Sequence, residues 1–176
     1  MGLRGSGKTT IGTRLVDLLP HFVLQDLDQS VLEDSEHKTI DEIIKAEGWP
    51  GFRMREFEQL QIWLWSLHHL PEHRMVLSLG GGVPTYKKSL AILQSAELHG
   101  IICLVYLRAT PATLADRMET SKDRPSLTGQ DPVAEIQSVF DERDGLYRSI
   151  SDVVIDVDGQ LPSETADAVV KALSEL

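Results

Sequence analysis

The stretch GLRGSGKTT, residues 2 to 10, decides the fold of this chain. From Gly2 to Thr9 it matches Gly-x-x-x-x-Gly-Lys-Thr, the pattern of a phosphate-binding loop. Glycines let the backbone turn its N–H groups toward phosphate oxygens, Lys8 supplies a positive charge, and the Thr9 hydroxyl suits Mg²⁺. The residues that follow have apolar side chains at helical spacing, which directs a helix N-terminus at the phosphates. We predict a nucleotide site; the alternative is a glycine-rich turn with a chance lysine.

Composition narrows the class of protein. The 176 residues suit one domain with a sizeable core. We expect no leader and no membrane span, because no apolar run is long enough. The one cysteine, Cys103, is predicted to be a buried thiol. A single cysteine excludes disulfides and zinc sites by count, and the cytoplasm is the expected location. A formal net charge of −10 argues against nucleic acid as a partner, so phosphate binding needs local clusters of arginine.

Apolar segments alternate with helical patterns along the whole chain. The apolar segments predict strands at 22–26, 75–79, 101–107 and 152–157. The helical patterns cover 39–46, 54–70, 85–98, 111–120, 132–150 and 162–175. This alternation predicts an α/β fold with a parallel sheet covered on both faces. Ligands of such sheets bind beyond the carboxyl ends of the strands, so the residues that follow each strand are the candidate site.

Two strand ends carry distinctive residues. Asp26 and Asp28 follow the first predicted strand, where one carboxylate can face a metal-bound water and the other a substrate hydroxyl. The alternative for this pair is a solvated acidic turn. Gly80 to Gly82 follow the next strand and allow a small ligand to approach the backbone. The alternative here is a bare flexible loop.

Arginines recur beside turns and helix ends. Arg53 lies three residues before Glu56, so the carboxylate can hold the guanidinium in one orientation, although an ordinary surface ion pair is the alternative. Arg117 and Arg124 flank a predicted helix end, and the polar stretch 121–131 suits a mobile lid. Arg143 lies on the next predicted helix. Each arginine alone is a weak signal, but together they fit a site for anions.

These motifs resemble those of the shikimate kinases, P-loop enzymes that use ATP and Mg²⁺ to phosphorylate the 3-hydroxyl of shikimate. The segments GSGKTT, DLD, FRMRE, VLSLGGGVPT, RPSL and ERDGLYR occur in the family's order. The resemblance implies a P-loop NTPase three-layer sandwich that is similar to nucleoside monophosphate kinases. Its central parallel sheet has the strand order 2-3-1-4-5. It implies one domain over 1–176, with the P-loop at 2–10, a substrate-binding subdomain at about 28–60 and a lid at about 119–131.

The resemblance also implies roles for individual positions. The implied ATP-binding residues are Gly5, Ser6, Gly7, Lys8, Thr9, Thr10, Arg117, Arg124 and Gln160. The implied shikimate-binding residues are Asp28, Arg53, Gly80, Gly81, Gly82 and Arg143, with the two arginines on the carboxylate. Lys8, Asp28 and Arg124 are the implied catalytic positions, with Asp28 orienting or deprotonating the acceptor hydroxyl. Thr9 is the implied Mg²⁺ ligand, and Asp26 acts on the ion through water.

The chain departs from the family pattern in three places. Only Met1 precedes Gly2, so the apolar first strand is expected to be largely truncated. Leu32 stands where the family often has a glutamate, and Glu33 follows it. Trp49 replaces a usual glutamate and raises the question of altered acceptor preference.

Two other functions remain as alternatives. A gluconate kinase would share the P-loop but lack the combination of D-x-D, F-R-x-x-E and triple glycine. A non-catalytic module that senses metabolites would have lost its lysine, its Asp pair or its lid arginine. The partners we expect are ATP and shikimate, with no nucleic acid and no membrane, and the expected state is a monomer in the cytoplasm.

Overall fold

The described strands form two parallel pairs in the computed structural model, which describes residues 1–70, 72–119 and 132–176. Strand β1 (Val23–Asp26) pairs with β2 (Met75–Ser78), and Asp26 lies opposite Ser78. Strand β3 (Val105–Arg108) pairs with β4 (Val153–Asp156), and Arg108 lies opposite Asp156. These are the outer pairs of the strand order that the resemblance implies.

Met1 lies beside β3, where the resemblance places the first strand. The amino group of Met1 donates to the Val105 carbonyl at 2.6 Å, and the Leu107 N–H donates to the Met1 carbonyl at 2.9 Å. Beside Met1 lies a cavity of about 610 Å³ lined by apolar side chains, among them Leu15, Val76, Leu93, Ile102, Val105 and Val169. The single central sheet that the resemblance implies is therefore not found among the described residues, whose strands form two separate pairs.

Helices surround the two strand pairs. In chain order they are α1 (Lys8–Leu18), α2 (Leu27–Glu33), α3 (Ile40–His69), α4 (Lys87–Leu98), α5 (Pro111–Glu119), α6 (Pro132–Ser149) and α7 (Pro162–Leu173), with a 3₁₀ turn at Val83–Thr85. Helices α1 and α7 pack on each other, and they also contact β2 and β4, respectively. Helix α6 packs on α5 and β3. None of the helices in the described ranges combines the length and apolar character that crossing a membrane requires.

The predicted helices at 39–46 and 54–70 are joined in α3. Helix α3 changes direction at Gly48, where the backbone has φ 71° and ψ 174°. Pro50 lies just after this kink, where a proline without an N–H fits the first turn of a helical segment. After the kink the chain is helical again, so residues 47–53, which the sequence predicts to lie between two helices, belong to α3.

Three local features differ from what the sequence alone suggested. Helix α2 forms where an acidic turn was one alternative, because the Asp26 carboxylate accepts the Asp28 N–H at 3.1 Å and caps the helix N-terminus. Strand β3 begins at Val105 rather than at residue 101. Cys103, predicted to be buried, is exposed, because it lies in the segment before β3 that borders the cavity.

The apolar core has two parts. The main cluster includes the fully buried side chains Leu27, Leu60, Leu93, Tyr106, Leu114, Tyr147 and Val169. A smaller cluster of Val31, Ile43 and Phe52 joins α2 to α3 within residues 28–60. Residues 28–60 therefore contain an apolar cluster that is separate from the main core. The substrate-binding subdomain predicted there stays a prediction.

Candidate active site

The phosphate-binding pattern forms a tight loop that leads into α1. Gly5 and Gly7 have φ of 84° and 94°, a left-handed conformation that favours glycine. The Ser6 N–H donates to the Leu3 carbonyl at 3.1 Å, and Lys8 Nζ donates to the same carbonyl at 3.0 Å. Gly7 is the N-cap of α1, so the loop lies at the positive end of the helix dipole.

Thr9 and Asp26, the two predicted metal-binding residues, lie in contact. Thr9 Oγ1 donates to Asp26 Oδ2 at 3.2 Å, which joins the start of α1 to the end of β1. A hydroxyl and a carboxylate are oxygen ligands of the kind that Mg²⁺ takes, and protein sites supply it with only one or two carboxylates beside phosphate and water. The pair fits the predicted metal.

Asp28 faces the glycine turn, residues 80–82, which follows β2. A Cβ built on Gly80 would lie 2.8 Å from Asp28 Oδ1 and 2.5 Å from Glu56 Oε1. Both carboxylates therefore reach the same side of the turn, and a side chain at position 80 would collide with them. The absence of a Cβ at Gly80 lets two acidic groups approach the backbone.

Arg53 and Glu56 form a buried ion pair. Arg53 Nη1 donates to Glu56 Oε2, and the Glu56 side chain is 1% exposed. Burial raises the pKa of Glu56 to about 7, and the charge of Arg53 opposes that rise. The Arg53 guanidinium also lies 5.1 Å from the ring centre of Trp49 and 5.2 Å from that of Phe52. Arg53 is thus held from two sides, by a carboxylate and by two aromatic rings.

Arg143 reaches the same glycine turn from α6. Its Nη1 donates to the Gly81 carbonyl at 3.0 Å, and the Tyr147 hydroxyl donates to the same oxygen. A Cβ on Gly82 would overlap the Arg53 guanidinium, so both arginines contact the turn. The buried Arg143 Nε makes no hydrogen bond to any described residue. The exposed Glu142 carboxylate lies near this nitrogen, but its Oε1 is 4.0 Å away, beyond hydrogen-bond distance.

The glycine turn also lies against the phosphate-binding loop. A Cβ on Gly81 would lie 3.3 Å from the Gly2 carbonyl and 3.6 Å from the Arg4 nitrogen. This contact brings the residues predicted to bind the phosphate-accepting substrate next to the residues predicted to bind ATP. The two halves of the predicted site are neighbours in the fold.

The other predicted ATP-binding residues lie at the loop and near the end of β4. Arg117 donates to the Gly5 carbonyl at 3.3 Å and to the Val157 carbonyl at 3.1 Å. Gln160 Oε1 accepts from the Thr165 hydroxyl at 3.2 Å. The Ser6 side chain is buried in the loop, whereas Thr10 is exposed on α1. Adenine contact by Arg117 and Gln160 stays a prediction, and Arg124 lies outside the described residues.

Sequence reasoning missed the contribution of Tyr147 and left that of Trp49 open. Tyr147 holds the Gly81 carbonyl, and Trp49 packs on Arg53. Tyr147 lies four residues after Arg143, a spacing that places both on one helix face and was the available signal. Trp49 lies four residues before Arg53, although the kink at Gly48 obscured that relation.

Comparison with known proteins identifies the family. The family model described as shikimate kinase matches residues 4–174. The chain belongs to the shikimate kinase family. Shikimate kinase 2 of Yersinia pestis strain Pestoides F is 34% identical over 178 residues, covering 99% of this chain and 93% of the relative. Members of the family are ATP-dependent kinases, and this confirms the resemblance that the motifs predict.

Solved structures of the family share the fold. The shikimate kinase from Acinetobacter baumannii, in complex with shikimate, superposes with a TM-score of 0.84 at 27% identity, over 99% of this chain and 90% of that one. The shikimate kinase from Aquifex aeolicus gives a TM-score of 0.78 at 26% identity, over 99% and 94%. The predicted P-loop α/β fold of the nucleoside monophosphate kinase type is therefore confirmed.

Proposed function

We propose that the chain transfers the γ-phosphate of ATP to the 3-hydroxyl of shikimate, giving shikimate 3-phosphate and ADP on the route to chorismate and the aromatic amino acids. The observation that carries this proposal is the glycine turn at 80–82. It contacts Arg53, Arg143 and the phosphate-binding loop at once. A site with this arrangement can hold a carboxylate and a phosphate side by side.

The acceptor side is suited to a small hydroxylated acid. Arg143 Nε is buried without a hydrogen bond to a described residue, and Arg53 is fixed by Glu56 and two rings. A guanidinium binds a carboxylate through two parallel hydrogen bonds, a geometry that lysine does not reproduce. In the proposal these two arginines bind the carboxylate of shikimate, and Gly80 to Gly82 line the same pocket.

Asp28 is proposed to act on the acceptor hydroxyl. Its carboxylate borders the glycine turn, which in turn contacts the phosphate-binding loop. A hydroxyl is a weak nucleophile, so a carboxylate within hydrogen-bond reach orients it and accepts its proton. Asp28 thus fits the role of orienting group or base.

The donor side is proposed to bind ATP with Mg²⁺. Lys8 and the amides of the loop would hold the phosphates, Thr9 would ligate the metal ion and Asp26 would act on it through water. When bound, the ion neutralises phosphate charge. The proposal also assigns Arg117 and Gln160 to the adenine side and Arg124 to the transferred phosphate. It describes a monomer in the cytoplasm, in keeping with a single cysteine.

A coupled assay of ADP release tests the proposal. The purified chain is supplied with ATP, Mg²⁺ and one of three acceptors, namely shikimate, quinate or gluconate. We expect turnover with shikimate, and phosphorus NMR of the product should show phosphate on the 3-oxygen. Lys8→Ala is the matched control and should abolish release of ADP.

Two results would overturn the proposal. Turnover with gluconate in place of shikimate would favour the gluconate kinase alternative. Calorimetric binding of shikimate without any release of ADP would favour the non-catalytic module.

A further inference from the structure

Asp144 on α6 accepts hydrogen bonds from three side chains that the proposed chemistry does not use. Its Oδ1 accepts from the Tyr106 hydroxyl at 3.0 Å and from Arg108 Nε at 2.9 Å. Its Oδ2 accepts from Arg148 Nε at 2.9 Å. Burial alone would raise the pKa of Asp144, but the bonds from Arg148, Tyr106 and Arg108 hold it below its usual range. The carboxylate is therefore ionised at neutral pH.

Arg108 extends this contact across both strands of the second pair. Its Nη1 donates to Asp156 Oδ1 on β4 at 2.9 Å, and its guanidinium lies 5.2 Å from the ring centre of Phe140 on α6. Arg108 and Asp144 are each about one-fifth exposed, so solvent weakens this ion pair less than it weakens a pair on the open surface. Together these contacts fix one face of α6 to β3 and β4.

The residues on either side of Asp144 act at the glycine turn. Arg143 precedes it and donates to Gly81, and Tyr147 follows three residues later and donates to the same carbonyl. Successive helix residues project about 100° apart, so the direction of Asp144 fixes that of Arg143. The rings of Tyr106 and Tyr147, both fully buried, meet edge to face with centres 5.2 Å apart.

We propose that Asp144 is a positioning residue for acceptor binding. By bonding Tyr106 and Arg108 it sets the rotation of α6, and that rotation directs the Arg143 guanidinium at the Gly81 turn. The inference rests on the proposed function, because it assigns to Arg143 the carboxylate of the acceptor. Asp144 itself touches neither substrate.

Steady-state kinetics of Asp144→Ala test this role. We expect KM for shikimate to rise about tenfold or more, the scale of a lost hydrogen bond to a charged group, while KM for ATP changes less than about twofold. Asp141→Asn is the matched control, because it removes an exposed carboxylate from the same helix and should leave both constants unchanged. Asp144→Asn keeps the size and one acceptor oxygen. It should give an intermediate KM and provides a measurement if the alanine variant does not fold.

A double-mutant cycle separates positioning from general stability. If Asp144 acts through Arg143, then Asp144→Ala should add no further rise in KM for shikimate when Arg143 is already alanine. A structural role alone would give additive effects and would overturn the proposal. An unchanged KM in a folded Asp144→Ala variant would overturn it as well.

An NMR measurement distinguishes failure of this inference from failure of the proposed function. The Arg143 Nε–H signal, assigned with Arg143→Lys, should broaden or shift in Asp144→Ala and Asp144→Asn but not in Asp141→Asn. That signal needs no substrate. If it responds while shikimate is not phosphorylated, Asp144 positions Arg143 and only the proposed function fails. If it does not respond, the positioning role is wrong whatever the acceptor.

Discussion

Asp28 and Glu56 direct carboxylate oxygens at the same point beside Gly80. A Cβ at that glycine would lie 2.8 Å from the first and 2.5 Å from the second. Glu56 belongs to the Arg53 ion pair on α3, whereas Asp28 lies in the first turn of α2, which follows β1. The acidic groups of the site therefore come from two separate elements, and the charge of Asp28 adds to the rise in the pKa of Glu56.

The pKa of Glu56 makes stability depend on pH. Burial raises this pKa from 4.5 to about 7, so between these values the folded chain binds more protons than the unfolded chain. The contribution of Glu56 to stability is thus fully present below about pH 4.5 and is lost as the pH rises through about 7, on the order of 3 kcal/mol in all. Urea unfolding of Glu56→Gln should show a smaller decrease in unfolding free energy between pH 5 and 7 than the parent shows. Parallel curves for the two proteins would contradict the assignment.

Arg53→Lys should affect the acceptor far more than the nucleotide. Lysine keeps the charge but loses the planar pair of donors that matches a carboxylate. We expect KM for shikimate to rise by about tenfold or more, with KM for ATP nearly constant. Initial rates at varied concentrations of each substrate measure both constants, and equal changes would reject the role of Arg53.

Asp28→Asn should impair the chemical step. The amide cannot accept the proton of the acceptor hydroxyl, so kcat should fall by about two to four powers of ten. Single-turnover measurements with saturating substrates give the rate. A kcat close to that of the parent would remove Asp28 from the mechanism. Gln29→Ala provides a neighbouring control on α2.

Trp49→Ala should weaken acceptor binding by a modest factor. The indole ring lies 5.1 Å from the Arg53 guanidinium at a partly exposed position, where a cation–π contact is worth about 0.5–1 kcal/mol. KM for shikimate should therefore rise about twofold to fivefold. Trp65→Ala is a matched control on the exposed outer face of α3. If the two variants behave alike, Trp49 has no role in the site.

Much of the site could be predicted because its residues follow local rules. Glycine spacing locates the loop at 2–10, and the strand-end rule locates Asp26 and the turn at Gly80. The contact of Tyr147 with Gly81 could not be predicted, because it joins residues 66 positions apart through packing alone. The continuation of α3 past Gly48 and Pro50 could not be predicted either, since both residues normally end a helix. Exposure of Cys103 was also not predicted, because residues 101–107 look like one continuous apolar strand, whereas β3 begins only at Val105.

The Gly81 carbonyl is held by Arg143 and Tyr147 together, and this has a consequence for the peptide unit to which it belongs. The C=O and the following N–H of a trans peptide point in opposite directions, and the described chain contains no cis peptide. With the oxygen fixed toward α6, the Gly82 N–H must point away from that helix. The Gly82 N–H makes that side of the peptide electropositive. An oxygen atom of a bound ligand is therefore favoured there.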